Sequence, residues 1–176
     1  ANTFVAAEGY DMGKSLQDKD RFNLARELKE RAKKIGSRII LPVDFMAGDA
    51  FSEKAQTKVL TAEEFSDPWM ALDIGPKTIE LYVETLKKMK TVVWNGPMGV
   101  FEMKPFAKGT HAIANAVANL DATTVVGGGE SAAVVDQMGI GDKFSHVSTG
   151  GGASLEMLEG MILPGVTILS DKEEIH

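Results

Sequence analysis

Three short segments predicted as strands in the second half of the chain are each followed by a glycine-containing turn. The segments are Thr91–Asn95, Thr123–Val126 and His146–Ser148, and the turns contain Gly96, the triplet 127–129 and the triplet 150–152. Helical patterns over 131–138 and 153–159 come directly after the two triplets. Strands that alternate with helices through short connections are typical of a parallel sheet. The pattern therefore predicts an α/β fold in which the three turns lie at one edge of the sheet.

The rest of the chain is consistent with this fold class. Helices are predicted over 18–36, 76–89 and about 105–119, because apolar residues recur there at helical spacing. Strands are predicted over Arg38–Val43 and Val166–Leu169. Residues 44–76 are less regular, and their pattern predicts only one or two short strands. Because no segment resembles a linker, the sequence predicts one domain, a three-layer, Rossmann-like lobe built on a parallel sheet.

Charge and composition exclude several classes of protein. The net charge is −6, and the whole surplus of acidic residues lies in 91–176, which contains no arginine and 13 of the 18 glycines. Nucleic-acid binding depends on lysine and arginine, so the acidic half argues against it. The absence of cysteine excludes disulfide frameworks and thiolate metal sites. No apolar run approaches 18 residues and no cationic leader is present, which predicts a protein without a membrane span that stays in the cytoplasm.

The glycine turns favour a site for a phosphate group. In an open α/β sheet, ligands bind beyond the carboxyl ends of the strands, where glycines allow close approach and helix N-termini attract anions. The alternative is that the glycines only allow tight turns and close helix packing. Residues 127–132 also fit a relaxed dinucleotide fingerprint, but the acidic residue expected about 20 positions later is missing, and no P-loop motif occurs.

Longer motifs around these turns resemble a known family. They are Trp94–Glu102, Val126–Ser131, His146–Gly160 and Leu163–Val166, with Leu41–Asp44, Phe51–Ser52 and Trp69–Pro76 upstream. Together they are similar to the signatures of phosphoglycerate kinase across nearly the whole chain. The resemblance is to the carboxy-terminal, nucleotide-binding lobe, without its preceding Gly-Gly-Ala-Lys segment and without the amino-terminal lobe that holds phosphoglycerate through a basic patch.

The resemblance implies a function and its partners. Such an enzyme transfers a phosphoryl group between 1,3-bisphosphoglycerate and ADP, forming 3-phosphoglycerate and ATP in glycolysis, with Mg²⁺ bound to the nucleotide. It also implies a cytoplasmic, monomeric full-length protein. Because the chain resembles only part of one lobe, we expect it to be inactive by itself.

The same resemblance assigns roles to individual residues. Asn95 matches a position near the transferred phosphate, Glu102 a ribose-binding carboxylate and Gly75 a position beside the nucleotide base. The phosphate and metal loop is matched by Gly128, Gly129, Glu130 and Ser131. The loop whose N–H groups meet the phosphoryl group in transfer is matched by Gly150, Gly151 and Gly152.

Glu130 departs from the family pattern, which usually has aspartate as the Mg²⁺ ligand. The longer side chain moves the carboxylate by about 1.5 Å, whereas Mg²⁺ requires ligands at ~2.0–2.1 Å in near-ideal geometry. We expect Glu130→Asp to keep or improve activity.

Two alternatives from other classes stay open at the level of the sequence. One is a self-standing nucleotide-binding module without catalysis, and the other is a dinucleotide domain of the dehydrogenase type. His111 and His146 have no acid–base partner at motif spacing, and we expect surface and strand-end positions for them.

Overall fold

The computed structural model describes residues 1–168, which divide into two compact units. Unit 1 comprises residues 1–88 and 98–116, and unit 2 comprises residues 89–97 together with the chain from 117 onward. The two units contain different kinds of sheet, so each is described separately.

Unit 1 contains an antiparallel sheet of three strands in the order β2-β1-β3. The strands are β1 (Phe45–Gly48), β2 (Thr57–Leu60) and β3 (Met70–Ile74), accompanied by helices α1 (Asn2–Ala7), α2 (Phe22–Lys34), α3 (Pro76–Leu86) and most of α4 (Lys108–Ala118). The core cluster of this unit includes Phe45, Leu60 and Phe65. The rings of Phe45 and Phe65 meet edge to face with centroids 5.4 Å apart, a geometry favoured by aromatic quadrupoles.

Unit 2 contains a parallel sheet of three strands in the order β4-β5-β6. The strands are β4 (Thr91–Asn95), β5 (Thr123–Gly127) and β6 (His146–Ser148), accompanied by α5 (Gly129–Gln137), α6 (Gly151–Leu158) and α7 (Pro164–Thr167). Val126 and Val134 are fully buried, and β4 alternates between exposed residues and the buried Val92 and Trp94. This unit confirms the predicted α/β fold with a parallel sheet.

Two predicted strands are wrong. The apolar run Arg38–Val43 has no regular structure, and β1 begins only at Phe45. Pro42 has no N–H group to donate to a neighbouring strand, and the side chains of Ile39 and Val43 are exposed. The run therefore lacks both the backbone donor and the burial of an interior strand. Residues 166 and 167 lie instead in the short helix α7, which begins at Pro164, a residue suited to the first helical position. Leu169 lies outside the described residues.

Helix boundaries differ only slightly from those predicted. Residues 19–21 and 104–106 form 3₁₀ turns ahead of α2 and α4, and α3 ends at Leu86. Between residues 44 and 76 the chain forms three strands, one more than the pattern suggested, and their pairing is antiparallel. None of the helices within residues 1–168 is long and apolar enough to cross a membrane.

Candidate nucleotide site

The three strands of unit 2 end in line with one another. Asn95 pairs with Gly127 across β4 and β5, and Gly127 pairs with Ser148 across β5 and β6. All three glycine turns therefore leave the sheet at the same edge, as the sequence predicted. The positions around this edge are residues 95–97, 127–131 and 148–152, which include no lysine or arginine.

The second and third turns are in direct contact through glycine. Gly128 has φ of 92° and ψ of 144°, a conformation that favours glycine, and its N–H donates to the Ser148 carbonyl at 3.1 Å. A Cβ atom built on Gly151 would lie 2.7 Å from the Gly128 Cα. Because α5 begins just after Gly128 and α6 begins at Gly151, the starts of two helices are brought side by side. Each helix start has N–H groups without a partner in its own helix, so together they favour an anion.

The Asn95 side chain lies against both glycine turns. Its amide atoms would be 3.1–3.3 Å from a Cβ built on Gly127 or Gly128 and 3.7 Å from one built on Gly151. The first turn thus places a neutral amide beside the two helix starts. Built Cβ atoms on Gly129 and Gly152 would meet nothing within 4 Å, so the space beside these two residues is open.

Ser131 fixes the first turn to α5 rather than facing this open space. Its hydroxyl is fully buried and accepts a hydrogen bond from the Gly96 N–H at 2.8 Å. Gly96 has a φ of 97° and follows Asn95 directly. The contact therefore holds Asn95 in place relative to the start of α5.

Glu130 is the carboxylate at this edge of the sheet. It is exposed in the first turn of α5 and forms no ion pair with any residue of the described part of the chain. Residues 1–168 contain no cluster of three histidine, cysteine or acidic side chains that could hold a metal by themselves. Protein-bound Mg²⁺ is commonly held by one or two carboxylates and the phosphates of a substrate, and a single exposed carboxylate beside two helix starts fits that mode.

Glu102 lies in unit 1, on the segment between β4 and α4. It is exposed and lines a groove of about 650 Å³ together with Glu53, Phe101, Lys104, Ala107, Lys108, His111 and Ala112. The Val100 N–H donates to the Leu72 carbonyl of β3 at 2.8 Å and holds the segment against the sheet. Residues 104–106 then form the 3₁₀ turn that leads into α4.

Gly75 is buried at the start of α3, against Asp44. A Cβ built on Gly75 would lie 2.3 Å from the Asp44 carboxyl carbon, so close packing requires glycine here. Gly75 does not line the cavity of about 520 Å³ in unit 1, although the preceding residues Met70–Ile74 do. Met98, Gly99 and Val100 contribute to the same cavity.

Two buried aspartates hold the starts of α3 and α4 in unit 1. Asp44 accepts from the N–H groups of Lys77 at 3.0 Å and Thr78 at 2.7 Å at the start of α3. Asp73 accepts from the Gly109 N–H at 2.7 Å at the start of α4, and from the Ile74 N–H at 2.8 Å. Burial raises the pKa of Asp73 to about 6, although these two hydrogen bonds act in the opposite direction.

Comparison with known proteins identifies the family. The family model for phosphoglycerate kinase matches residues 1–161. The chain belongs to the phosphoglycerate kinase family. It is 53% identical over 171 residues to phosphoglycerate kinase from Roseiflexus sp. (strain RS-1), covering 97% of the chain and 43% of that relative. It is 55% identical over 174 residues to phosphoglycerate kinase from Clostridium novyi (strain NT), covering 98% of the chain and 43% of that relative.

A solved structure leads to the same assignment. The structure of phosphoglycerate kinase from Coxiella burnetii matches with a TM-score of 0.90 and 41% sequence identity, over 96% of this chain and 44% of that one. The chain therefore spans less than half the length of the phosphoglycerate kinases that it matches.

The structure also shows which residues the motifs did not reveal. The pattern gave no role to Asp44, Asp73 or the cavity-lining Met98 and Val100, although all four lie within motifs that resemble the family. The aspartates bond to residues 33 to 36 positions away, and no local pattern reports such a contact. His111 and His146 are both exposed, on α4 and at the first residue of β6, as expected.

Proposed function

We propose that the chain supplies the Mg²⁺–nucleotide side of a phosphoglycerate kinase, which transfers a phosphoryl group between 1,3-bisphosphoglycerate and ADP. The observation that carries this proposal is the contact between the starts of α5 and α6 at Gly128 and Gly151, with the Asn95 amide beside it. Family membership supports this reaction, and the geometry offers backbone donors suited to phosphate.

Phosphate binding at this edge would rest on backbone groups. The N–H groups of Gly129 and Gly152 lie at the two helix starts, where the helix dipoles add partial positive charge. The N–H groups of Gly150 and Gly151 donate within the turn, to the Ser148 hydroxyl at 3.2 Å and the Thr149 carbonyl at 3.1 Å, and would exchange these partners for the phosphoryl group. Such donors are fixed in place by the fold, so they need no rearrangement as charge moves in the transition state. Removing one donor of this kind costs ~3 kcal/mol of transition-state stabilisation in enzymes that use them.

Each side chain at this edge has a distinct proposed task. Asn95 donates an amide hydrogen bond to the transferred group without competing for protons, and Ser131 keeps Asn95 in position through Gly96. Glu130 holds the metal at the start of α5. When bound, Mg²⁺ neutralises the negative charge that accumulates on the phosphates during transfer.

Unit 1 supplies the remaining nucleotide contacts in this proposal. The Glu102 carboxylate accepts hydrogen bonds from the two vicinal hydroxyls of the ribose, a match for its two oxygens. The resemblance to the family assigns Gly75 a position beside the base. The apolar cavity lined in part by Met70–Ile74 and residues 98–100 begins at the preceding residue and offers a suitable surface for a flat ring.

The complete reaction needs a part of the enzyme outside this chain. The proposal assigns phosphoglycerate binding to the amino-terminal lobe, consistent with the 43% of each relative that the chain covers. Closure of that lobe would exclude water from the reacting groups. The full-length protein is proposed to be a cytoplasmic monomer.

The proposal is tested by calorimetry of ADP binding in the presence of Mg²⁺. The informative pair of variants is Gly152→Asp and Gly152→Ala, because a Cβ atom on Gly152 would meet nothing within 4 Å. An aspartate in the first turn of α6 favours the helix but repels a phosphate, by about 3 kcal/mol at 5 Å for an effective dielectric constant of 20.

We expect Gly152→Asp to bind ADP about 10- to 100-fold more weakly than Gly152→Ala, while both bind adenosine equally, since adenosine carries no phosphate. Equal ADP affinity in the two variants would exclude the helix starts as the phosphate site. Tight binding of NADH without a preference for ADP would instead favour a dinucleotide domain. If the full-length protein binds ADP but shows no phosphoryl transfer, a non-catalytic nucleotide-binding module would be favoured.

A further inference from the structure

The Asp73 side chain is packed between the two ends of the segment that carries Glu102. Built Cβ atoms on Gly99 and Gly109 would lie 2.4 and 2.2 Å from the Asp73 Oδ1, so only glycine allows the chain to approach this carboxylate from both sides. On one side, the Gly109 N–H donates a hydrogen bond to the Asp73 Oδ2 and holds the chain against the carboxylate. Asp73 therefore holds residues 99 and 109, three positions before and seven positions after Glu102.

A second side chain connects the same two ends. The Thr110 hydroxyl is fully buried on α4 and accepts from the N–H groups of Met98 at 3.0 Å and Gly99 at 3.2 Å. Since the Asp73–Gly109 bond fixes the start of α4, it also fixes where the Thr110 hydroxyl lies. The bond from the Val100 N–H to the Leu72 carbonyl then ties the segment to the strand that carries Asp73.

We propose that Asp73 is a positioning residue for Glu102, acting through Gly109 and Thr110 to set the place from which the carboxylate reaches the ribose of the nucleotide. The inference rests on the proposed role of Glu102. Asp73 is among the residues that line the cavity proposed for the base, but it is only 4% exposed and each of its oxygens already accepts a backbone N–H, from Ile74 and from Gly109. We therefore assign it no hydrogen bond to the nucleotide.

The test is the preference for ADP over 2′-deoxy-ADP, measured by calorimetry with Mg²⁺ on the 176-residue chain. A hydrogen bond to a charged group contributes about 10- to 100-fold in affinity, so the chain should prefer ADP by that factor. Asp73→Asn replaces one of the two acceptor oxygens by an amide N–H₂, so either the Ile74 or the Gly109 N–H loses its acceptor, and it should reduce the preference at least threefold. Thr110→Val removes the second link and should act in the same direction.

Asp44→Asn is the matched control. Asp44 is also a buried carboxylate that holds a helix start, but its partners are Lys77 and Thr78 of α3 rather than the Glu102 segment. Asp44→Asn should lower the unfolding temperature as Asp73→Asn does and leave the preference for ADP over 2′-deoxy-ADP unchanged. If the effect came from a general loss of stability, the preference for ADP over 2′-deoxy-ADP would fall in both variants alike.

The outcomes separate the two proposals. If Glu102→Gln abolishes the preference while Asp73→Asn and Thr110→Val retain it, Asp73 does not position Glu102, and the ribose role survives. If Glu102→Gln leaves the preference intact, the ribose role is wrong and the positioning role falls with it. Should Asp73→Asn fail to fold, the Thr110→Val result decides the matter.

Discussion

The contact between Gly128 and Gly151 leads to a quantitative prediction for Gly151→Ala. The added methyl carbon would lie 2.7 Å from the Gly128 Cα and 3.1 Å from its nitrogen, whereas carbon atoms pack at about 3.5–4.0 Å. The two turns must therefore separate by about 1 Å. Crowding of this kind costs about 1–3 kcal/mol in free energy of unfolding.

Gly152→Ala is the appropriate reference, because it adds the same methyl group in the same helical turn where nothing lies within 4 Å. Both variants gain the same helix propensity, up to about 1 kcal/mol relative to glycine. Their difference in unfolding free energy therefore isolates the crowding against Gly128.

Trp94 offers a direct measurement of this difference. It is buried in unit 2 and its indole N–H donates to the Gly96 carbonyl at 2.7 Å, next to Asn95. The sequence has only two tryptophans, so a Trp69→Phe background makes denaturation followed by fluorescence specific for unit 2. We expect Gly151→Ala to be about 1–3 kcal/mol less stable than Gly152→Ala and to bind ADP more weakly. Equal stability of the two variants would refute the close contact between the two helix starts.

Three further predictions concern charge and activity. From pH 7 to pH 5, the difference in unfolding free energy between the wild type and Asp73→Asn should shift by about 1 kcal/mol in favour of the wild type. The reason is that the pKa of Asp73 is about 6 in the folded protein, above the 3.8 of an unperturbed aspartate, so the folded state binds a proton that the unfolded state does not. A difference that urea denaturation shows to be independent of pH would contradict this. Glu130→Asp should keep or raise Mg²⁺-dependent ADP affinity and, in the full-length enzyme, activity, whereas Glu130→Gln should lower both; a large loss of kcat with aspartate would show that the site is adapted to glutamate. The 176-residue chain alone should show no phosphoglycerate-dependent ATP turnover in a coupled assay, and a rate near the ~1–100 s⁻¹ of ordinary kinases would exclude the need for a second lobe.

The parallel sheet of unit 2 was predictable because its signals are local. The strands at 91–95 and 146–148 were predicted with the bounds observed, since each is a short segment closed by a glycine-containing turn. The glycine triplets also predicted where the turns meet, because parallel strands must end at the same edge. The individual roles of the site residues stay predictions.

Unit 1 was less predictable because its organisation depends on distant contacts. The run Arg38–Val43 has the composition of a strand, but its proline and its exposure override that preference. In unit 2, residues 166–167 are β-branched, yet a proline-initiated turn dominates there. The preference of a short segment is weak compared with its surroundings, so composition alone misassigns both places.

The aspartates that hold α3 and α4 have a consequence for the order of folding. Gly75, the residue before α3, has no side chain to accept a hydrogen bond, and the acceptor comes from Asp44 instead. Short helices are only marginally stable by themselves in water. The starts of α3 and α4 therefore acquire their acceptors only when Asp44, just before β1, and Asp73 of β3 have reached them, and we expect peptides spanning either helix alone to be largely unstructured. In this unit, residues in and next to the sheet determine where α3 and α4 begin.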